Sequence, residues 1–457
     1  MSKIILIALP SPFASEPAMN PTLGLCYIAG YLKKNGYDNI EAVDYNLYKE
    51  CDYFNSKDYL RKIPPGVDFY GIYCMTPQFI WLKDVIKDIR QKSPKAKIIV
   101  GGPHASTCPE ECLRVAKADI AVKGEGEEAF FAIVSGEPLE HIKGVCFLGK
   151  DGKFHDSERA FVKNLDDLPF PDRDLFDMDK YKRTIHGEKA VHIVTLRGCP
   201  YSCAFCDKKS VGTNVRFRSM ENVLAEIDLV ILRYNLRAFV IYDDIFTLDK
   251  KRAHRFCEEF KKRKLKWRCW SRTNTVDKEM LKVMKDAGLV SITFGVESGD
   301  DRVLKNIKKD TTNASHKQAL LACKELGIPV RCSLIYGNPG ENLESVRNTI
   351  KLIEETQPDE WNLAVLAPIP GSGIWDEPEK YGVIFDKEWV KQNDYSMTNR
   401  FDSSGIGSIW IELKGISKED FTKNLEFFVS ELERVCPRKK IQDTIQSIDL
   451  KKIKILK

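Results

Sequence analysis

Three cysteines fall within eight residues, in the stretch Cys199-Pro-Tyr-Ser-Cys203-Ala-Phe-Cys206, spaced C-x3-C-x2-C. No fourth cysteine follows until Cys257. Structural zinc sites close on four ligands, and ferredoxin-type clusters take four thiolates. Three thiolates on one tight loop therefore suit a 4Fe–4S cluster with one iron left open. An open iron can hold a small molecule, which turns an electron carrier into a catalyst. An apolar run at residues 192–196, directly before the loop, predicts a strand.

The elements that must position this loop come from an alternation of strand and helix signals that starts near residue 190. Predicted strands at 192–196, 238–242, 266–270, 290–294, 331–335 and 361–366 are separated by helices, one of them at 221–234 with Ser219 as its cap. Six such units make an incomplete parallel barrel. Chemistry in barrels sits at the carboxyl ends of the strands, where the cysteine loop lies. The later strands end in polar residues: Asp243-Asp244, Ser271-Arg272, Gly295-Val296-Glu297-Ser298-Gly299 and Tyr336-Gly337-Asn338-Pro339-Gly340.

Residues 1–150 alternate in the same way and predict a doubly wound parallel sheet. Its strands are expected at 4–9, 40–44, 70–75, 98–100 and 120–122, and Pro77 suits the first turn of a helix at 78–91. In such sheets ligands bind beyond the carboxyl ends of the strands. The residues expected there are Gly24, Thr76, Gly101-Gly102 with His104, and Gly124-Glu125-Gly126. Residues 151–186 have the prolines and charges of an interdomain linker. The barrel is expected over 187–380, and a substrate-shaping α-rich segment over 381–457. That segment contains a helix at 418–434, an aromatic stretch (Phe385, Trp389, Tyr395, Phe401, Trp410) and a basic tail after Pro437.

The cysteine loop, with Phe205 just before its third cysteine, is similar to the signature of the radical S-adenosylmethionine (SAM) superfamily. Placed after Asn20-Pro21-x-Leu23-Gly24, Gly101-Gly102-Pro103-His104 and Gly124-Glu125-Gly126-Glu127, it resembles the cobalamin-binding branch of that superfamily. The resemblance implies that Cys199, Cys203 and Cys206 hold the cluster and that SAM chelates its open iron. It also implies that Phe205, Arg272, Glu297 and Asp243 contact SAM, Arg272 at its carboxylate and Glu297 at the ribose hydroxyls or amino group. The expected activity is methylation of an unactivated carbon, with oxidative cyclisation or ring rearrangement as alternatives and a non-enzymatic cobalamin or redox sensor as a third. An electron donor such as flavodoxin or ferredoxin is implied, and the substrate would be a small molecule or peptide. The sequence lacks the Asp-x-His-x-x-Gly motif that supplies a cobalt ligand in other cobalamin enzymes, so no protein ligation of cobalt is expected. His104 is instead expected to line the pocket for the nucleotide tail.

A length of 457 residues implies two or three domains. A net charge of +5 is small for that length and argues against nucleic-acid binding. Fourteen cysteines, mostly isolated within apolar runs, suit reduced thiols and a cytoplasmic setting. No run of about twenty apolar residues is present to span a membrane.

Overall fold

Ile4–Ala8 consists of five consecutive buried residues and forms strand β1, a central strand covered on both faces. A computed structural model of the chain describes residues 2–11, 18–48, 60, 62–393, 395 and 411–437. Around β1 lie β2 (Ile40–Asp44), β3 (Phe69–Tyr73), β4 (Lys97–Gly101) and β5 (Ile120–Val122), all parallel. Two antiparallel strands, β6 (Val145–Leu148) and β7 (Phe154–His155), extend the edge to give the order β2-β1-β3-β4-β5-β6-β7. The winding reverses between β1 and β3, which opens a crevice at their carboxyl ends. The helices are α1 (Leu23–Lys34), α2 (Phe79–Lys92), the short α3 (Pro103–Thr107) and α4 (Pro109–Arg114), and α5 (Glu127–Val134).

The predicted linker is packed along its length and is no free tether. Val162, Leu165 and Leu168 cluster with Tyr27 of α1, and Asp172 N donates to Cys26 O at 2.9 Å. A Cβ at Gly30 would stand 2.6 Å from Phe170 O, so this close approach requires glycine. The segment also supplies β7 to the first sheet and β8 (Thr184–Ile185) to the second.

In the second sheet β9 (Glu188–Ile193) stops before the predicted strand does. Leu196 and Arg197 belong instead to β10, which pairs antiparallel with β11 (Arg216–Phe217). The sheet continues through β12 (Ala238–Ile241), β13 (Lys266–Ser271), β14 (Leu289–Glu297), β15 (Val330–Tyr336) and β16 (Glu360–Val365). Its order is β16-β15-β14-β13-β12-β9-β8, with six parallel strands and β8 antiparallel at the edge. This is the predicted open barrel. α6 (Lys208–Val211) and α7 (Met220–Tyr234) follow the cysteine loop, and Ser219 Oγ caps α7 by accepting from Asn222 N at 3.1 Å. The C-terminal helix Lys418–Val435 packs on this sheet, with Tyr336 Oη donating to Phe421 O at 2.7 Å. Phe401, Trp410 and the basic tail beyond Pro437 lie outside the described residues.

One fully buried carboxylate joins three segments. Glu226 of α7 accepts from Arg173 of the linker at 2.6 Å and pairs with Arg218, which follows β11, at 2.5 Å. Removing one partner of a buried ion pair typically costs about 3–5 kcal/mol. Glu226→Gln, which strands two buried guanidinium charges, is expected to lower the unfolding free energy by an amount of that order, read by urea unfolding.

Candidate cofactor site between the two sheets

The cysteine loop leaves and re-enters the fold through the β10–β11 pair, where Arg197 faces Arg216. Gly198 starts the turn at φ +95°, and a Cβ there would lie 2.3 Å from Asn214 O. Both the conformation and the space therefore demand glycine. The loop is held from two sides: Ala204 N donates to Ile307 O at 2.9 Å, and Ile374 N donates to Ala204 O at 2.9 Å. Cys199 and Cys203 are buried, Cys206 is half-buried, and none is bridged. Burial pushes the Cys206 thiol up to about 12; Cys203, Asp244 and Cys199 add to this, while Lys208 opposes it. The three sulfurs thus share one small region beside Asp244. Three unbridged thiols on one rigid loop fit the thiolate set of a cluster.

Arg272, at the end of β13, lies across this loop. Its guanidinium stacks on the Tyr201 ring at 3.7 Å, and Nη1 donates to Cys203 Sγ at 3.6 Å. Its Nη2 is buried without a partner among the described residues. A buried cationic donor without an acceptor is costly, and the open N–H fits a carboxylate brought by a ligand. Glu297 ends β14 at φ +63°, a left-handed conformation seldom taken by a non-glycine residue. Its carboxylate pairs with Lys309 at 2.8 Å, and the Lys309 ammonium lies 5.6 Å from the centre of the Phe205 ring. A Cβ at Gly295 would meet Glu297 Oε1 at 2.5 Å, so Gly295 makes room for this side chain.

Asp243 has a different environment from the one expected. Both of its oxygens point inward, accepting from Thr195 N at 2.6 Å, Leu196 N at 3.2 Å and Thr195 Oγ1. Burial pushes its carboxyl up to about 6 against these bonds and the Arg252 charge. Asp243 therefore ties the end of β12 to the turn before the cysteine loop and has no oxygen to spare for a ligand. Its neighbour Asp244 is exposed, beside the thiols and Lys208.

On the first sheet, Gly24 and Gly101 both have open space where a Cβ would project, as a ligand cradle requires. Gly102 takes φ +95° and lets the chain turn into α3 past Cys74 O. Three expected contacts are otherwise engaged. Gly124 is pressed against the linker, with Ala160 O 2.2 Å from its Cβ position. Glu125 faces the second domain. His104 is fully buried and packed against Phe79 and Tyr395. Thr76, also buried, approaches it with Oγ1 3.4 Å from Nδ1. Gly126 packs near Ile28.

Glu125 forms the main tie between the sheets. Arg216 forks onto it with distances of 2.6 and 2.9 Å, Arg197 approaches at 3.3 Å, and Val162 N donates at 2.6 Å. Arg197 also donates to Glu127 at 2.8 Å. Burial alone would push Glu125 up, but the Arg216 hydrogen bonds and the two arginine charges bring it below the ordinary carboxylate value. The loop after β5 is thereby bolted to the strand pair that carries the cysteines. A second contact lies nearby: a Cβ at Gly371 would meet Thr107 of α3 at 2.6 Å and Asp207 of the cysteine loop at 2.2 Å. The loops at the carboxyl end of the first sheet thus pack directly beside the cysteine loop of the second.

Sequence reasoning missed Lys309, Tyr201, Arg197, Arg216 and Glu341. Glu341 is buried and accepts from Gly337 N at 2.6 Å and Asn338 N at 3.2 Å, shaping the loop after β15. Burial pushes its carboxyl up to about 8. Only Arg197 and Arg216, which flank the cysteines two residues before Cys199 and ten after Cys206, offered a signal in the sequence.

Comparison with known proteins bears on both halves. The radical SAM superfamily matches residues 193–353, and the B12 binding domain matches residues 16–134. The chain is 29% identical over 400 residues to an uncharacterized methyltransferase of Pyrococcus horikoshii, covering 85% of this chain and 86% of that protein. It is 28% identical over 383 residues to an anaerobic magnesium-protoporphyrin IX monomethyl ester cyclase of Cereibacter sphaeroides, covering 80% of this chain and 61% of that one. Its fold is similar to that of TsrM, a radical SAM methyltransferase of Kitasatospora setae solved with cobalamin and a 4Fe–4S cluster. That match has a TM-score of 0.69 at 18% identity and covers 85% of this chain and 81% of that one.

Anaerobically reconstituted protein is expected to hold about four irons at one site. Replacing Cys199, Cys203 and Cys206 together by Ala should remove that iron and its visible absorption. A full cluster in the triple variant would move the site to other thiols.

Proposed function

The chain belongs to the cobalamin-binding radical SAM family, and from that premise we propose that it methylates an unactivated carbon of a small molecule. The observation that carries this reading is the apposition of the two sites. The cysteine loop and the loops at the strand ends of the B12-type sheet lie side by side, fixed by the fork of Arg216 on Glu125. A substrate held there would reach both cofactors without a domain movement. The names of the Pyrococcus protein and of TsrM support methyl transfer over other outcomes.

Bound there, the cluster and SAM supply hydrogen abstraction, and cobalamin supplies a methyl group that a carbon radical accepts. The protein's part is to bind, orient and exclude water. Cys199, Cys203 and Cys206 hold the cluster. Arg272 Nη2 is assigned to the SAM carboxylate, with Tyr201 fixing the guanidinium plane. Glu297 is assigned to the SAM ribose hydroxyls or amino group, held in place by Lys309. Phe205 borders this site from the cysteine loop, and Lys309 ties it to Glu297. Gly24 and Gly101 leave room for cobalamin at the strand ends. Reducing equivalents would come from a ferredoxin- or flavodoxin-type donor.

The similarity to a cyclase motivates a second reading, in which cobalamin takes part in oxidation and gives up no methyl. SAM labelled with deuterium in its methyl group separates the two. Label carried into the product supports methyl transfer, whereas an unlabelled, oxidised product supports the cyclase reading.

A charge-assisted hydrogen bond contributes about 1.5–3 kcal/mol. Arg272→Ala is therefore expected to weaken SAM binding roughly ten- to hundredfold. Arg272→Lys should fail to restore it fully, since an ammonium lacks the planar fork. Unchanged SAM affinity in Arg272→Ala, measured on protein with full iron content, would remove Arg272 from the site.

A further inference from the structure

A second set of metal-type donors sits on the first domain, on the run from α3 to α4 and outside the cysteine loop. His104 lies in α3, Cys108 at the junction and Glu111 in α4. A ring nitrogen of His104, Cys108 Sγ and a Glu111 carboxylate oxygen all lie within 4.8 Å of one another. The Tyr395 hydroxyl donates to Glu111 and lies 3.8 Å from Cys108 Sγ, so four donor groups converge.

The imidazole is the independent sign of a missing ligand. His104 is fully buried, and its Nε2 has no hydrogen-bond partner among the described residues. Its Nδ1 has only the 3.4 Å approach of Thr76 Oγ1. The rings of Phe79 and Tyr395, at 4.6 and 5.0 Å, pack against it and fix its plane. A buried polar group left unpaired is destabilising, and a nitrogen of this ring lies within 4.8 Å of a thiol and a carboxylate.

We propose that His104, Cys108 and Glu111 bind a zinc ion, with the Tyr395 hydroxyl at the fourth position. Nitrogen, sulfur and carboxylate oxygen are the donors zinc takes in tetrahedral sites. With zinc bonds near 2.0–2.3 Å, tetrahedral ligands lie about 3.3–3.8 Å apart, so the donors draw in by about 1 Å on binding. The Zn–S bond forms as the Cys108 S–H bond gives its proton to solvent, and no electron changes hands. Thiolate and carboxylate together cancel the charge of the ion, which suits a partly buried place. Such a site pins the C-terminal segment, through Tyr395, onto the helices that follow Gly101-Gly102. It serves structure and takes no part in the chemistry at the cysteine loop.

The test uses full-length protein with its cluster reconstituted, incubated with an equimolar amount of Zn2+, desalted and analysed for zinc and iron by mass spectrometry. The parent is expected to retain about one zinc in addition to its cluster iron. The Cys199, Cys203 and Cys206 triple Ala variant should lose iron and keep zinc, which separates this site from the cysteine loop. Cys108→Ser and Glu111→Gln are each expected to lower zinc affinity at least tenfold. In cobalamin-free triple Ala protein, added Co2+ should give a thiolate charge-transfer band that Cys108→Ser removes. A parent that retains no zinc overturns the proposal, as does a Cys108→Ser, Glu111→Gln double variant that binds zinc like the parent. A cob(II)alamin EPR spectrum with nitrogen splitting that His104→Ala abolishes would also overturn it, by assigning the imidazole to cobalt.

Discussion

The fork of Arg216 on Glu125 is the contact on which the rest of this molecule depends. It joins a loop at the carboxyl edge of one sheet to the strand pair that frames the cysteines of the other. The pair is well made for a buried position. The guanidinium meets both carboxylate oxygens and also donates to Val162 O, the acid takes Val162 N, and the Phe161 ring lies 5.2 Å from the guanidinium carbon. Buried ion pairs repay their desolvation best when the remaining donors and acceptors are satisfied, and here most are, Arg216 Nε being left without a partner among the described residues. Arg197 and Glu127 repeat the pairing one step away. The result is a rigid seam where a loose interdomain contact is the general expectation.

Rigidity at the seam contrasts with unfinished bonding at the strand ends of the barrel. Arg272 Nη2 and Asn338 Oδ1 are buried without partners among the described residues, and Glu297 holds a left-handed backbone. Strain and orphaned polar atoms persist where surrounding structure over-determines them, and they cluster at functional sites. Here the supports are identifiable. Asp243 and Arg252 lock the turn before the cysteine loop, Glu341 locks the loop after β15, and Lys309 holds the Glu297 carboxylate. The carboxylates near the strand ends thus divide into two kinds. Asp243 is spent on N–H and O–H groups of the turn at Thr195, and one Glu341 oxygen takes two backbone N–H groups, whereas Glu297 pairs with the Lys309 side chain near the cysteine loop.

Local periodicity and punctuation made much of this legible without coordinates. Continuous apolar runs followed by polar or glycine-rich ends specified parallel strands, and the six barrel strands lie within a few residues of where that pattern puts them. The C-x3-C-x2-C spacing singled out the cysteine loop because three thiols so close in sequence are also close in space. Gly101 could be placed at an open strand end for the same reason. Such features depend on neighbours along the chain, which a sequence displays directly.

What only the tertiary structure decided depends on partners far apart in the chain. Glu125 lies ninety-one residues from Arg216, and nothing near either residue announces the other. A glycine-acid-glycine loop has the same appearance whether its carboxylate meets a ligand or a distant arginine, so Glu125 and Gly124 became structural ties only on folding. His104 was likewise a loop residue until Phe79 and Tyr395 closed over it. The strand end at Asp243 turned inward because the N–H groups of Thr195 and Leu196 needed an acceptor, a demand set by the break between β9 and β10. Sequence determines which groups can do chemistry here; the packing of one sheet against the other decides which of them are left free to do it.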